Sequence, residues 1–197
     1  MSCKPPLIVS ISAISGGGKT AVTQELVKLL NNVKVISFDS YAEDFLKQDY
    51  CQWSANGADY NEWHLEPIVN DILQLIEEKP DIILLDYPFG YGNEAVGEFI
   101  DYAIFIDTPL DLALARRIVR DYTRRDKSRR KIENPIEHMD ATLSFYLSQH
   151  RETYVQHIRT VKPYSDFIID GCIPIGIIAA NIAEKVNSLK SSKTPKS

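Results

Sequence analysis

Residues Leu7 to Ser12 (LIVSIS) form a short apolar, β-branched run. The run breaks at Ser15-Gly16-Gly17-Gly18, and helical periodicity takes over at Thr20, with Val22, Leu26, Leu29 and Leu30 on one side. A strand, a glycine break and a helix in immediate succession admit few folds. Successive glycines let backbone N–H groups turn inward around anionic oxygens with no Cβ in the way. The start of the following helix adds its partial positive charge. Within Ala13-Ile14-Ser15-Gly16-Gly17-Gly18-Lys19-Thr20, Lys19 is a mobile cation suited to β- and γ-phosphates, and the Thr20 hydroxyl suits a Mg²⁺ ligand. Ser15 through Thr20 are therefore the expected nucleotide-binding residues, in the strand–loop–helix context of a Walker A element. The bland alternative is a glycine-rich turn before a helix with a chance Gly-Lys-Thr. Ala13 stands where the first glycine of such a loop is usual; its methyl is acceptable if the backbone there need not adopt a positive φ.

The rest of the chain repeats the alternation. Val33–Phe38 reads as a second strand ending at Asp39, Ile82–Leu85 as a buried strand ending at Asp86, Tyr102–Asp107 as a fourth, and Phe167–Ile169 as a short last one. Between them lie an amphipathic helix Leu65–Lys79 stopped by Pro80, a helix opened by Pro109, a long helix from Pro135 to near Thr160, and a terminal helix from Pro174. The aromatic segment Ser40–Trp63 reads as a short helix plus a long loop. Strands alternating with helices predict an α/β fold with a parallel sheet covered on both faces. Ligands in such sheets sit at the carboxyl ends of the strands, where the breaks at Ala13–Thr20, Asp39, Asp86 and Asp107 fall.

With 197 residues and no linker or repeat, one domain over residues 1–190 is expected, with a basic lid at about 121–134 and a disordered tail at 191–197. No apolar run reaches the length of about 20 residues that spans a bilayer, and no secretory signal is visible. Cys3, Cys51 and Cys172 suggest neither a disulfide framework nor a zinc site, so a cytoplasmic protein with free thiols is expected. The net charge of −5 is unevenly spread: Arg116–Lys131 holds nine basic residues against two aspartates, and subtracting that +7 leaves −12 elsewhere. Such a balance argues against a general nucleic-acid partner and for a local anion.

Asp39 can take the proton of an attacking hydroxyl, hold Mg²⁺ through water, or cap a helix. Asp86 ends a hydrophobic strand as a Walker B acid does, or serves as a turn residue before Tyr87-Pro88. Asp107, before Thr108-Pro109, reads as a cap or turn residue. Arg117, Arg120 and Arg124 follow three- and four-residue steps on a helix. Such a row can clamp phosphates and neutralise charge developing during transfer, or simply form a solvated face.

These residues together resemble the uridine kinase group of P-loop nucleoside kinases, the uridine kinase / phosphoribulokinase family. The similarity lies in Ser15-Gly16-Gly17-Gly18-Lys19-Thr20, in Phe38-Asp39-Ser40-Tyr41, and in Phe105-Ile106-Asp107-Thr108. It continues through Leu114-Ala115-Arg116-Arg117-Ile118-Val119-Arg120-Asp121 and Val161–Ile169, covering the chain to about Gly171. The resemblance implies a five-stranded parallel sheet, MgATP as donor, and Asp39 as general base towards a ribose 5′-hydroxyl. Arg117 and Arg120 would contact phosphates, and Asp59 in Gly57-Ala58-Asp59-Tyr60 would bind the acceptor's ribose. The expected catalytic set is thus Lys19, Asp39, Arg117 and Arg120, with Arg117 also on the nucleotide. Asp39, Tyr41, Asp59 and Tyr60 are expected at the acceptor, and Thr20 and Asp86 at Mg²⁺. Where the family has a glutamate followed by glycine, this chain has Asp86-Tyr87-Pro88-Phe89-Gly90. The expected partner is a small acceptor, a nucleoside such as uridine or another alcohol, with no membrane or nucleic-acid partner and room for a homo-oligomer. An NTP-binding switch protein without an acceptor is the competing class.

Overall fold

A computed structural model describes residues 5–41, 49–123 and 134–192. Five parallel strands make one sheet in the order β2-β3-β1-β4-β5: β1 Leu7–Ser12, β2 Val33–Ser37, β3 Ile82–Asp86, β4 Tyr102–Asp107 and β5 Phe167–Asp170. The register pairs Ile11 with Asp86 and Ile104 with Phe167.

Strand alternation sorts the apolar residues into two cores. Leu7, Val9 and Ile11 of β1, with Leu84 of β3 and Ile104 of β4, face Val22 and Leu26 of helix α1 (Lys19–Leu29) and Ile182 of the terminal helix Ile175–Ser192. Ile83, Leu85 and Phe105 face the opposite way, onto Ile68 and Ile72 of the helix Glu66–Glu78 and an aromatic cluster. All the strand residues in these two sets are buried, as two-sided coverage requires. Each fully buried Val, Leu or Ile contributes about 1.5–3 kcal/mol of transfer free energy.

Local signals set most element ends. The helix Glu66–Glu78 has a proline in its first turn and ends on Lys79 in the left-handed region (φ 55), just before Pro80. Pro135 opens the helix Pro135–Phe145, which passes through a π-helical turn at Tyr146–His150 into the helix Arg151–Val161. A second π turn, Val119–Thr123, continues the helix Leu110–Ile118.

Some boundaries differ from expectation. Phe38 leaves the strand to start a 3₁₀ turn, Phe38–Tyr41. The aromatic segment is more ordered than a long loop, with a helix at Tyr50–Ala55 capped by Asp49 and a 3₁₀ turn at Tyr60–Glu62. Asn93 caps a one-turn helix, Glu94–Gly97, inside the loop after β3. Ser191 and Ser192 belong to the terminal helix rather than to a disordered tail, because the helical ladder runs to Ser192. The remaining tail, and most of the expected lid, lie outside the described residues. No described helix is long and apolar enough to cross a membrane.

Candidate active site

The glycine loop connects β1 to α1 and is shaped by backbone contacts. Gly16 and Gly18 take positive φ values of 82° and 100°, and the Gly17 N–H donates to the Ile14 carbonyl (2.8 Å). A Cβ on Gly16 would lie 2.3 Å from the Ala113 carbonyl oxygen, and one on Gly17 would lie 2.8 Å from the Ala13 methyl. Both positions must be glycine. Ala13 is not among the residues with positive φ, so its methyl fits and packs beneath Gly17. Just after β4, Thr108 Oγ1 donates to the Gly17 carbonyl (2.9 Å) and fastens the loop.

Lys19 forms an ion pair with Asp86, whose side chain is almost wholly buried at the end of β3 beside β1. Asp107 instead pairs with Lys162 (2.5 Å), closing the neighbouring strand end.

One cavity of about 880 Å³ runs from this loop into the aromatic cluster. Ser15, Gly16, Gly18, Lys19 and Thr20 line one end, with Arg116 and Arg120 from the helix and π turn that follow β4. Arg116 also donates from Nη2 to the carbonyl of Gly171, just after β5 (3.0 Å), which fixes its side chain. The other end is walled by Phe38, Tyr50, Trp63, Phe89, Tyr154 and His157. Asp39, in the 3₁₀ turn after β2, lies on the same wall. Arg120 is held above the usual guanidinium range first by its hydrogen bond to Asp121, with a further contribution from the Asp39 charge.

Arg117 does not line the cavity. Its Nη1 donates to the Tyr154 hydroxyl (2.9 Å), and its Nε lies 3.7 Å from Asp121, so it supports the wall from behind. Arg116, one residue earlier on the same helix Leu110–Ile118, takes the position expected of it. Tyr41, Asp59 and Tyr60 also stand off the cavity. The Tyr41 hydroxyl donates to Asp71, and burial together with this carboxylate pushes the phenol up. Asp59 caps the Tyr60–Glu62 turn by accepting from the Asn61 N–H (2.9 Å). Tyr60 is buried in the aromatic core, its hydroxyl 2.6 Å from Thr160 Oγ1. All three are used structurally, which the motif in sequence does not reveal.

Arg116, Tyr50, Tyr154 and His157 were not singled out by sequence. The segment Ser40–Trp63 is visibly aromatic in sequence, but which of its rings face the cavity is not. His157 carried no signal at all, since it comes from the middle of a long helix 107 residues from its partner Tyr50.

The profile of the Phosphoribulokinase / Uridine kinase family matches residues 60–172. A uridine kinase of Staphylococcus aureus (strain JH9) is 29% identical over 194 residues, covering 84% of this chain and 88% of the relative. Among solved structures, a sugar kinase from Janibacter sp. HTCC2649 superposes with a TM-score of 0.56 at 12% identity, covering 96% of this chain and 99% of that one. A shikimate kinase from Aquifex aeolicus superposes at 0.50 and 16%, covering 93% and 99%. These likenesses bear on the fold, an α/β P-loop architecture; the profile match, over more than half of the chain, bears on kinship. The chain belongs to the phosphoribulokinase / uridine kinase family of phosphotransferases.

Proposed function

We propose that this protein transfers the γ-phosphate of ATP to a hydroxyl of a small acceptor, with a nucleoside such as uridine as the first candidate. One observation carries the proposal: a single cavity is lined at one end by the phosphate loop and at the other by aromatic rings, with Asp39 on its wall. A phosphoryl donor and a flat acceptor can therefore meet without leaving the protein.

Lys19 exchanges its Asp86 partner for β- and γ-phosphate oxygens when the donor binds. Asp39 accepts the proton of the attacking hydroxyl. Arg116 and Arg120, both on the donor end, offset charge that develops on the transferring phosphoryl group. Arg117 acts through Tyr154 as a positioning residue. Thr20 and Asp86 are the residues suited to Mg²⁺, because a hydroxyl and one carboxylate beside the phosphates match an ion that keeps several waters and takes few protein ligands. When bound, Mg²⁺ would supply positive charge that offsets the phosphates. A reaction that consumes ATP and free alcohols fits the cytoplasm.

Screening uridine, cytidine, adenosine and simple sugars for ADP formation above the no-acceptor background tests this function. A nucleoside should raise ADP release at least tenfold. Stimulation by sugars alone would move the acceptor to a non-nucleoside alcohol. ATP hydrolysis indifferent to every alcohol would favour a switch protein instead.

A further inference from the structure

We infer that Thr108 is a positioning residue of the donor site: its hydroxyl fixes the orientation of the Gly17–Gly18 peptide, so that the Gly18 N–H meets a phosphate of the bound nucleotide. The inference rests on the donor half of the function proposed above and is independent of the acceptor.

Thr108 is 2% exposed, lies just after β4 and does not line the cavity. Its Oγ1 donates a buried hydrogen bond to the Gly17 carbonyl. That carbonyl and the Gly18 N–H belong to one planar trans peptide, since no cis bond occurs among the described residues. In such a unit the C=O and the N–H point in opposite directions. Tethering the carbonyl towards the end of β4 therefore turns the Gly18 N–H the other way, to the side on which Gly18 lines the cavity. The Gly17 N–H is spent on the Ile14 carbonyl, whereas the Gly18 N–H makes no hydrogen bond among the described residues.

The tether matters because glycine stands on both sides of this peptide. With no Cβ on either residue, rotation of the peptide meets little steric resistance. A flipped peptide would aim the Gly17 oxygen at the phosphates in place of a donor, exchanging attraction for repulsion. Valine has the shape of threonine, so packing alone does not call for the hydroxyl. Gly171 is the second sign. It is not among the glycines with positive φ, so its backbone does not require glycine. Space does: a Cβ there would lie 1.9 Å from Thr108 Oγ1 and 2.9 Å from Thr108 Cβ. The Gly171 N–H donates to the Asp107 carbonyl (2.9 Å), and its carbonyl accepts from Arg116. The residue after β5 thus seats both the threonine that orients the loop and an arginine of the same end.

The test is calorimetric titration of the full chain with MgADP, read beside the Gly18 amide resonance of the isotope-labelled protein. In the wild type the Gly18 amide proton should move downfield on MgADP binding, as an N–H that gains a phosphate acceptor does. Thr108→Val removes the donor and keeps the shape, whereas Thr108→Ser keeps the donor. MgADP affinity should fall about 10- to 100-fold in Thr108→Val, the loss of one hydrogen bond to a charged group, and the Gly18 shift should shrink. Thr108→Ser should stay within about threefold of the wild type, although its lost methyl lowers the melting temperature. A purely structural role would lower the melting temperature of both variants and leave the affinity of the folded protein unchanged. Equal MgADP affinity in Thr108→Val and the wild type overturns the inference and leaves the kinase standing. So does a wild type that binds MgADP with an unmoved Gly18 amide, a readout that holds even where Thr108→Val does not fold. A wild type that binds no MgADP removes the donor site itself, and the inference falls with it.

Discussion

The two ends of the cavity are built from different material. The end at the glycine loop is backbone: Gly16 approaches a helix carbonyl so closely that no Cβ fits, and a threonine just after β4 fastens the loop. The acceptor end is side chains, delivered by the turn after β2, the helix Tyr50–Ala55, the loop after β3 and the helix Arg151–Val161. Phosphate is the same in every donor, and backbone N–H groups recognise it whatever the surrounding residues are. An acceptor ring varies, and side chains can change without disturbing the sheet. Chemistry is therefore fixed at one end and selectivity is adjustable at the other.

Substitutions at the two ends should fail in different ways. The largest effect is expected at Lys19→Ala, which should lower phosphoryl transfer by about 10³-fold or more while the protein stays folded. Steady-state kinetics beside a thermal melt checks this, and normal turnover would remove Lys19 from the donor site. Phe89→Ala should act on stability instead. Phe89 is 1% exposed and in ring contact with Phe38, Tyr60, Trp63 and Tyr87, so its loss should cost about 3–5 kcal/mol in urea unfolding.

A pH effect of similar size is expected from His157. Between pH 6.5 and about 4 the unfolded chain binds a proton at this residue that the folded chain does not. Stability present above pH 6.5 is thus lost as pH falls through that window, by roughly 3 kcal/mol in all. Unfolding at pH 7 and pH 4.5 should show the loss in the wild type and a smaller one in His157→Phe. Equal slopes would place the histidine's titration elsewhere. The smallest effect is expected at Ala13→Gly, which restores the usual loop residue. Since Ala13 needs no positive φ, transfer should be unchanged and stability should drop by about 0.4–1 kcal/mol, through the unfolded chain. A gain in turnover would mean that the Ala13 methyl constrains the loop after all.

The same division explains what was legible in the sequence. The strand, the glycines, Lys19 and Thr20 are contiguous, so residue types alone marked the strand–loop–helix element, and Asp86 does end the strand beside β1. The five-stranded parallel sheet was legible because each strand is an apolar run closed by a turn signal. The acceptor wall was not, because its rings come together only by packing. Asp59 and Tyr41 sit in a promising motif yet cap a turn and bond a neighbouring helix. His157 sits in an unremarkable helix yet reaches the cavity. Arg116 rather than Arg117 lines the cavity, because only the packing of the helix Leu110–Ile118 decides which of two adjacent arginines faces inward.

The central claim is that the two ends cooperate in one transfer, with Asp39 serving the acceptor hydroxyl and Asp86 the donor side. Asp39→Asn keeps the shape and removes the base. Measuring kcat with saturating nucleoside alongside MgATP affinity, for Asp39→Asn and Asp86→Asn in parallel, tests the claim most directly. Asp39→Asn should lower kcat by about 10²- to 10⁴-fold with MgATP affinity within twofold of wild type, while Asp86→Asn should weaken MgATP binding and shift the Mg²⁺ requirement upward. Normal turnover by Asp39→Asn, with the chemical step lost only in Asp86→Asn, would contradict it.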